Sequence, residues 1–106
     1  MSYTVQFAPE ALDQLDAIED YIAYAGSPLT AARYVDAIVA YCESLATFPE
    51  RGIRRDDLMS GLRITNHRRS AVIAFVVDPD AETVSILGMF YGGQDYEATL
   101  QDAPGE

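Results

Sequence analysis

Apolar and polar residues alternate from Tyr3 to Phe7, where Tyr, Val and Phe are separated by Thr and Gln. A period of two predicts a short, half-buried strand. From Pro9 the period changes. Leu12, Leu15, Ile18, Ile22 and Ala25 recur at helical spacing while Glu10, Asp13, Asp16, Glu19 and Asp20 occupy the other faces, which predicts an amphipathic, acidic first helix. Pro9 suits the first turn of that helix, although Ala8 is a poor cap. Gly26-Ser27-Pro28 then offers a helix stop, a cap and a helix start in succession, and so short a link predicts an antiparallel helical hairpin. In the second helix Ala31, Val35, Ile38, Cys42 and Leu45 follow a 4, 3, 4, 3 spacing that ends at Phe48-Pro49, where proline breaks the run.

Residues 50–61 show no sustained period and hold two glycines, so they read as a connecting loop. Leu62 to Thr65 alternate as a strand with Arg63 and Thr65 on one face. Ala71 to Val77 are apolar on both faces, as a central strand requires. "DPDAE" turns the chain, and Thr83 to Tyr91 return as another apolar strand. Gly92-Gly93 permit a turn at positive φ, and a tail over 92–106 keeps Tyr96 and Leu100 as apolar residues able to dock. The order is β-α-α-β-β-β, an α+β fold with a helical hairpin packed on a small, mainly antiparallel sheet. At 106 residues the expectation is one domain over 1–106.

Composition narrows the function. Cys42 is the only cysteine and lies on the apolar stripe of the second helix, so it reads as buried filler and no disulfide is expected. No charged-then-apolar leader opens the sequence and no apolar run reaches the roughly 20 residues of a membrane span. A cytoplasmic protein without membrane contact is expected. Carboxylates are plentiful, but no His/Cys cluster accompanies them, so neither a metal nor any other cofactor is expected.

The net charge of −10 disfavours direct nucleic-acid binding, because phosphates would be repelled by most of the surface. Its distribution is uneven. Residues 51–69 hold Arg51, Arg54, Arg55, Arg63, Arg68 and Arg69 against Asp56 and Asp57, a local +4 that leaves −14 on the rest of the chain. This island is either a solvated loop face balanced by carboxylates or a contact surface for a partner or a phosphate.

Two stretches, "FPERGIRRDDLMSGLR" at 48–63 and "VIAFVVDPDAETVSILGMFYGGQDYEATL" at 72–100, resemble the ParE/RelE superfamily of toxins from type II toxin-antitoxin systems. The likeness covers nearly the whole chain. Its strongest element combines the Pro-x-x-Gly loop and Arg55, Gly-Leu-Arg at 61–63, and the closing Gln-Asp-Tyr-Glu. The resemblance implies one of two activities. ParE-like toxins, linked to plasmid stabilisation, inhibit DNA gyrase by binding and cause growth arrest, whereas RelE-like toxins cleave messenger RNA on the ribosome. It also implies a cognate, ParD-like antitoxin and places the tail from Gly92 near the contact side. A detoxified relative that only binds its antitoxin is a third reading, because the negative charge is unusual beside neutral or basic toxins of the family.

Cleavage through a 2′-hydroxyl needs a proton acceptor, a proton donor and positive charge against the phosphorane. RelE-like enzymes place an arginine at the head of the central strand, where this chain has Ala71 after Ser70. Arg63, Arg68 and Arg69, with His67 or Tyr91, form the alternative catalytic set, and Arg68 or Arg69 could take that place only with a slipped register. His67 falls in the "NHRR" turn between strands, where an exposed polar residue is ordinary. Tyr91 ends the last strand, where packing is its usual role. The weakness of this set favours the ParE-like branch, with no catalytic residue expected. Arg51, Arg54, Arg55, Arg63, Tyr91, Tyr96 and Leu100 are then the candidates for target or antitoxin contact.

Overall fold

The computed structural model describes residues 2–101. β1 (Thr4–Phe7) leads to α1 (Pro9–Ala25) and α2 (Pro28–Glu43), which tightens into a 3₁₀ turn over Ser44–Ala46. β2 (Ile53–Arg54), β3 (Leu62–His67), β4 (Ala71–Asp78), β5 (Thr83–Tyr91) and α3 (Tyr96–Gln101) follow. The strands form one sheet in the order β1-β5-β4-β3-β2. Its pairings are antiparallel except that of β1, which runs parallel to β5. The expected hairpin forms as its sequence directs: Ser27 accepts the Thr30 N–H at 3.1 Å, and Pro28 occupies the first turn of α2.

The hairpin covers one face of the sheet. Ala11, Leu15, Ile18 and Ile22 of α1 join Ala31, Ile38 and Cys42 of α2 over Ile73, Phe75, Val84, Ile86 and Met89. The buried stripe of α1 differs in part from the expected one. Leu12 is 47% exposed and Ala25 is exposed, whereas Ala11 is fully buried. A step of four from Ala11 to Leu15 keeps the stripe on the sheet, and Leu12 sits one residue round the helix. Val35 is half-buried, and Leu45 reaches the core from the 3₁₀ turn. Burial pushes the Cys42 thiol up to about 12, so it packs as a small apolar group rather than a thiolate.

The opposite face has a second, smaller core of Leu62, Ile64, Ala74 and Phe90, covered by Leu58, Met59, Tyr96 and Leu100. Three readings change here. The supposed loop at 50–61 contains the edge strand β2, and the supposed tail contains α3. β3 also continues two residues past Thr65, which puts His67 in the sheet instead of the turn. The part of the tail beyond residue 101 lies outside the described residues.

Candidate functional site

At one end of the sheet His67 pairs with Ala71, and Ala71 pairs with Tyr91. Residues opposed in this way point to one face, here the hairpin face. Tyr34 of α2 lies edge-on to both flanking rings, 5.7 Å from His67 and 5.4 Å from Tyr91. Its hydroxyl shares a 2.7 Å hydrogen bond with Ser70 Oγ. Tyr41, one heptad further along α2, lies 5.3 Å from His67 and shares a 2.8 Å hydroxyl bond with Thr65. Tyr21 of α1 completes the cluster at 6.0 Å from Tyr91.

This packing decides the state of the single histidine. His67 is 5% exposed and its Nε2 has no hydrogen-bond partner among the described residues. Burial, with a smaller contribution from the Arg68 charge, holds its pKa below the ordinary value. A neutral ring shut between two tyrosines is poorly placed to exchange protons with a substrate. Tyr34 is shifted the other way, its phenol raised by burial despite the bond to Ser70. Tyr91 is half-buried between Tyr21 and Tyr34.

The arginine island is dispersed. Arg51 lies over the Tyr41 and Phe48 rings at 5.2 and 5.4 Å and donates to Ser44 Oγ. Arg63 donates to the Glu50 carbonyl at 3.0 Å. Arg54 pairs with Asp56 at 3.0 Å with both groups largely exposed, so the pair contributes little. Asp56 also accepts the Gly61 N–H at 2.8 Å, and that bond is the main reason its carboxyl is held below the usual range.

Arg55 is the most engaged of the six. It bonds both oxygens of Asp57 at 2.9 and 2.8 Å, Glu97 at 2.6 Å and the Tyr96 hydroxyl at 3.0 Å. The Asp57 bonds first and Glu97 second raise its pKa further, and Asp57 is lowered in return. Arg55 thus fastens the loop after β2 to α3, where Tyr96 packs 6.1 Å from Phe90 and Leu100 lies on the second core. Arg68 and Arg69 remain exposed in the β3–β4 turn, and no ion pair among the described residues involves them. β4 begins at Ala71, which pairs with His67 and is 4% exposed, and Arg68 and Arg69 lie in the turn before it.

Beside α3 the sheet presents a groove of about 600 Å³ lined by Ile53, Ile64, Val72 and Tyr96. Asn66 and Val72 also line an adjoining recess of about 150 Å³, which Arg69, Ser70 and Gln94 border. An apolar floor with one free cation at its rim suits a peptide better than a phosphodiester undergoing proton transfer. Tyr34, Tyr41, Asn66 and Gln94 were not among the sequence candidates. The seven-residue spacing of Tyr34 and Tyr41, next to the α2 stripe, was the available signal. Among the described residues there is no cluster of potential metal ligands and no helix long and apolar enough to cross a membrane.

No curated protein matches the chain. Several solved structures share the fold, three of them as follows. A chromosomal ParDE toxin-antitoxin system from P. aeruginosa is 23% identical with a TM-score of 0.72, over 85% of this chain and 96% of that one. The RelBE2 toxin-antitoxin complex of Mycobacterium tuberculosis is 21% identical with a TM-score of 0.63, over 87% and 100%. A mutant of the E. coli toxin RelE in its free state is 11% identical with a TM-score of 0.65, over 95% of each chain. At these identities the structures establish the fold alone. The assignment rests on the family model for the ParE toxin of the type II toxin-antitoxin system parDE, which matches residues 5–96, and the chain belongs to that toxin family.

Proposed function

We propose that this protein inhibits DNA gyrase in the cytoplasm by binding it, without cleaving RNA, and that a ParD-like antitoxin keeps it silent. The observation that carries the reading is the burial of His67 between Tyr34 and Tyr41. It takes the one imidazole of the chain away from acid-base work at neutral pH. The fixed register of Ala71 supports the same reading, because Arg68 and Arg69 are in the turn and not at the head of β4.

The antitoxin is the natural occupant of the groove beside α3. An extended acidic segment would find an apolar floor at Ile53, Ile64 and Val72 and a free cation at Arg69, whereas the acidic α1 would repel it. The direct test is supercoiling of relaxed plasmid by purified gyrase. The reading expects inhibition by stoichiometric toxin and relief by the antitoxin. Full gyrase activity at excess toxin, with the toxin folded, would remove gyrase as the target.

A further inference from the structure

The recess of about 150 Å³ that adjoins the α3 groove is lined from two sides. Asn66 and Arg69 border it from β3 and the β3–β4 turn, and Gly93 and Gln94 from the segment after β5. Oε1 of Gln94 accepts the Tyr91 N–H at 2.9 Å. A side-chain amide whose oxygen is engaged in this way presents its NH2 group, so Gln94 offers donors. Among the described residues Arg69 is in no ion pair and the Gly93 N–H meets no backbone carbonyl. The neighbouring Asp95 does not line the recess, and its carboxylate accepts the Ala98 N–H at 3.1 Å at the start of α3.

The lining therefore combines one positive charge with amide donors and holds no carboxylate. A single guanidinium matches a carboxylate both in charge and in its planar fork. A nucleic-acid backbone would instead bring one phosphate per nucleotide against a chain of net charge −10, which repels it. The recess also opens onto the groove, because Asn66 and Val72 line both. Ile64 of the groove floor and Asn66 are two residues apart on β3 and share a face, a step of about 6.6 Å. The same step separates side chains i and i+2 on one face of any extended segment.

We propose that this recess reads one carboxylate of the antitoxin, an Asp or Glu side chain two residues from an apolar one on an extended segment seated in the groove, and holds it with Arg69 and the amides of Asn66 and Gln94. The inference rests on the antitoxin's place in the groove argued above and adds the group that sets its register there. With the acid in the recess, a slip of one residue would turn the apolar side chain away from Ile64 and Val72.

The test titrates the isotope-labelled protein with acetyl-Val-Thr-Glu-Thr-Val-amide, in which the acid is two residues from an apolar side chain in either chain direction, and with its twin carrying Gln for Glu. The Glu peptide should shift the Arg69 Nε–H, the Asn66 and Gln94 side-chain amides and the Gly93 amide, together with Ile64 and Val72. At low salt it should bind about threefold to tenfold more tightly than the Gln twin. Arg69→Gln and Gln94→Glu should each abolish that preference. Gln94→Glu keeps an acceptor for the Tyr91 N–H and replaces the amide donors with a like charge, so a purely structural Gln94 would leave the preference intact. Equal affinities for the two peptides, with shifts at Ile64 and Val72 alone, would overturn the recess while the groove stands. No shift on this face would overturn both. Tighter binding of hexauridylate than of the Glu peptide at the same signals would assign the recess to phosphate and overturn the carboxylate. Gyrase inhibition is read separately by supercoiling, and none of these outcomes bears on it.

Discussion

Arg55 donates to the Tyr96 hydroxyl at 3.0 Å across 41 residues of sequence, and through that contact the loop after β2 holds α3 against the sheet. Tyr96 and Leu100 therefore cover Leu62, Ile64 and Phe90, in addition to any part they take in binding. Tyr96→Ala should destabilise the protein by about 1–2 kcal/mol, the value of a half-buried ring, read as a lower urea midpoint. A change smaller than about 0.5 kcal/mol, the scatter of ordinary surface substitutions, would mean that α3 is not part of the folded unit.

The neutral, buried His67 gives stability a defined pH dependence. Its folded pKa lies below the ordinary value of 6.5, so the unfolded chain binds the proton first as pH falls. Stability is complete above that value and declines as pH drops from about 6.5 towards the folded pKa, with a limiting slope of about 1.4 kcal/mol per pH unit for one proton. His67→Phe keeps a ring between Tyr34 and Tyr41 and should flatten the profile between pH 6.5 and 5. Equal slopes in urea titrations of the two proteins would show that His67 is not shielded.

Ile38 is fully buried on α2. Ile38→Ala should cost about 2–5 kcal/mol by opening a cavity under the hairpin, measured by denaturant unfolding. A near-neutral result would contradict the facing of α2.

Much of this architecture was legible in the sequence. The hairpin followed from the α2 spacing and from Ser27-Pro28, and β4 and β5 from unbroken apolar runs. β2 escaped because Ile53 and Arg54 are both exposed, so two residues carry no alternation to detect. α3 was missed because six residues show little periodicity, although Asp95, whose carboxylate accepts the Ala98 N–H at 3.1 Å, is a recognisable start signal. His67 was misplaced because Thr65 and His67 are polar and seemed to mark the end of a strand, whereas the Tyr41 hydroxyl and the Tyr34 and Tyr41 rings bury them. The arginines looked like one patch because adjacency in sequence says nothing of which carboxylates fold back onto them. Glu97, 42 residues from Arg55, was beyond any local rule.

Within 51–69, Arg54 and Arg55 have carboxylate partners, Arg51 and Arg63 are held by Ser44 and the Glu50 carbonyl, and Arg68 and Arg69 are the exposed arginines in no ion pair among the described residues, next to the groove beside α3. Joint replacement by Glu should weaken antitoxin binding and flatten its salt dependence in calorimetry at low and high salt. Arg54→Glu should do less. Unchanged affinity and salt slope in the Arg68/Arg69 double variant would place the antitoxin elsewhere.

The most direct test of a binding toxin with no catalytic set is the fate of messenger RNA after the protein is expressed without its antitoxin, alongside Tyr91→Phe. Tyr91→Phe removes a hydroxyl and keeps the ring against Tyr21 and Tyr34; a proton donor would be lost, while a packing residue would barely change. The expected result is growth arrest with a DNA-damage response and intact messenger RNA for both proteins. Rapid ribosome-dependent cleavage of messengers by the parent, lost in Tyr91→Phe, would contradict it.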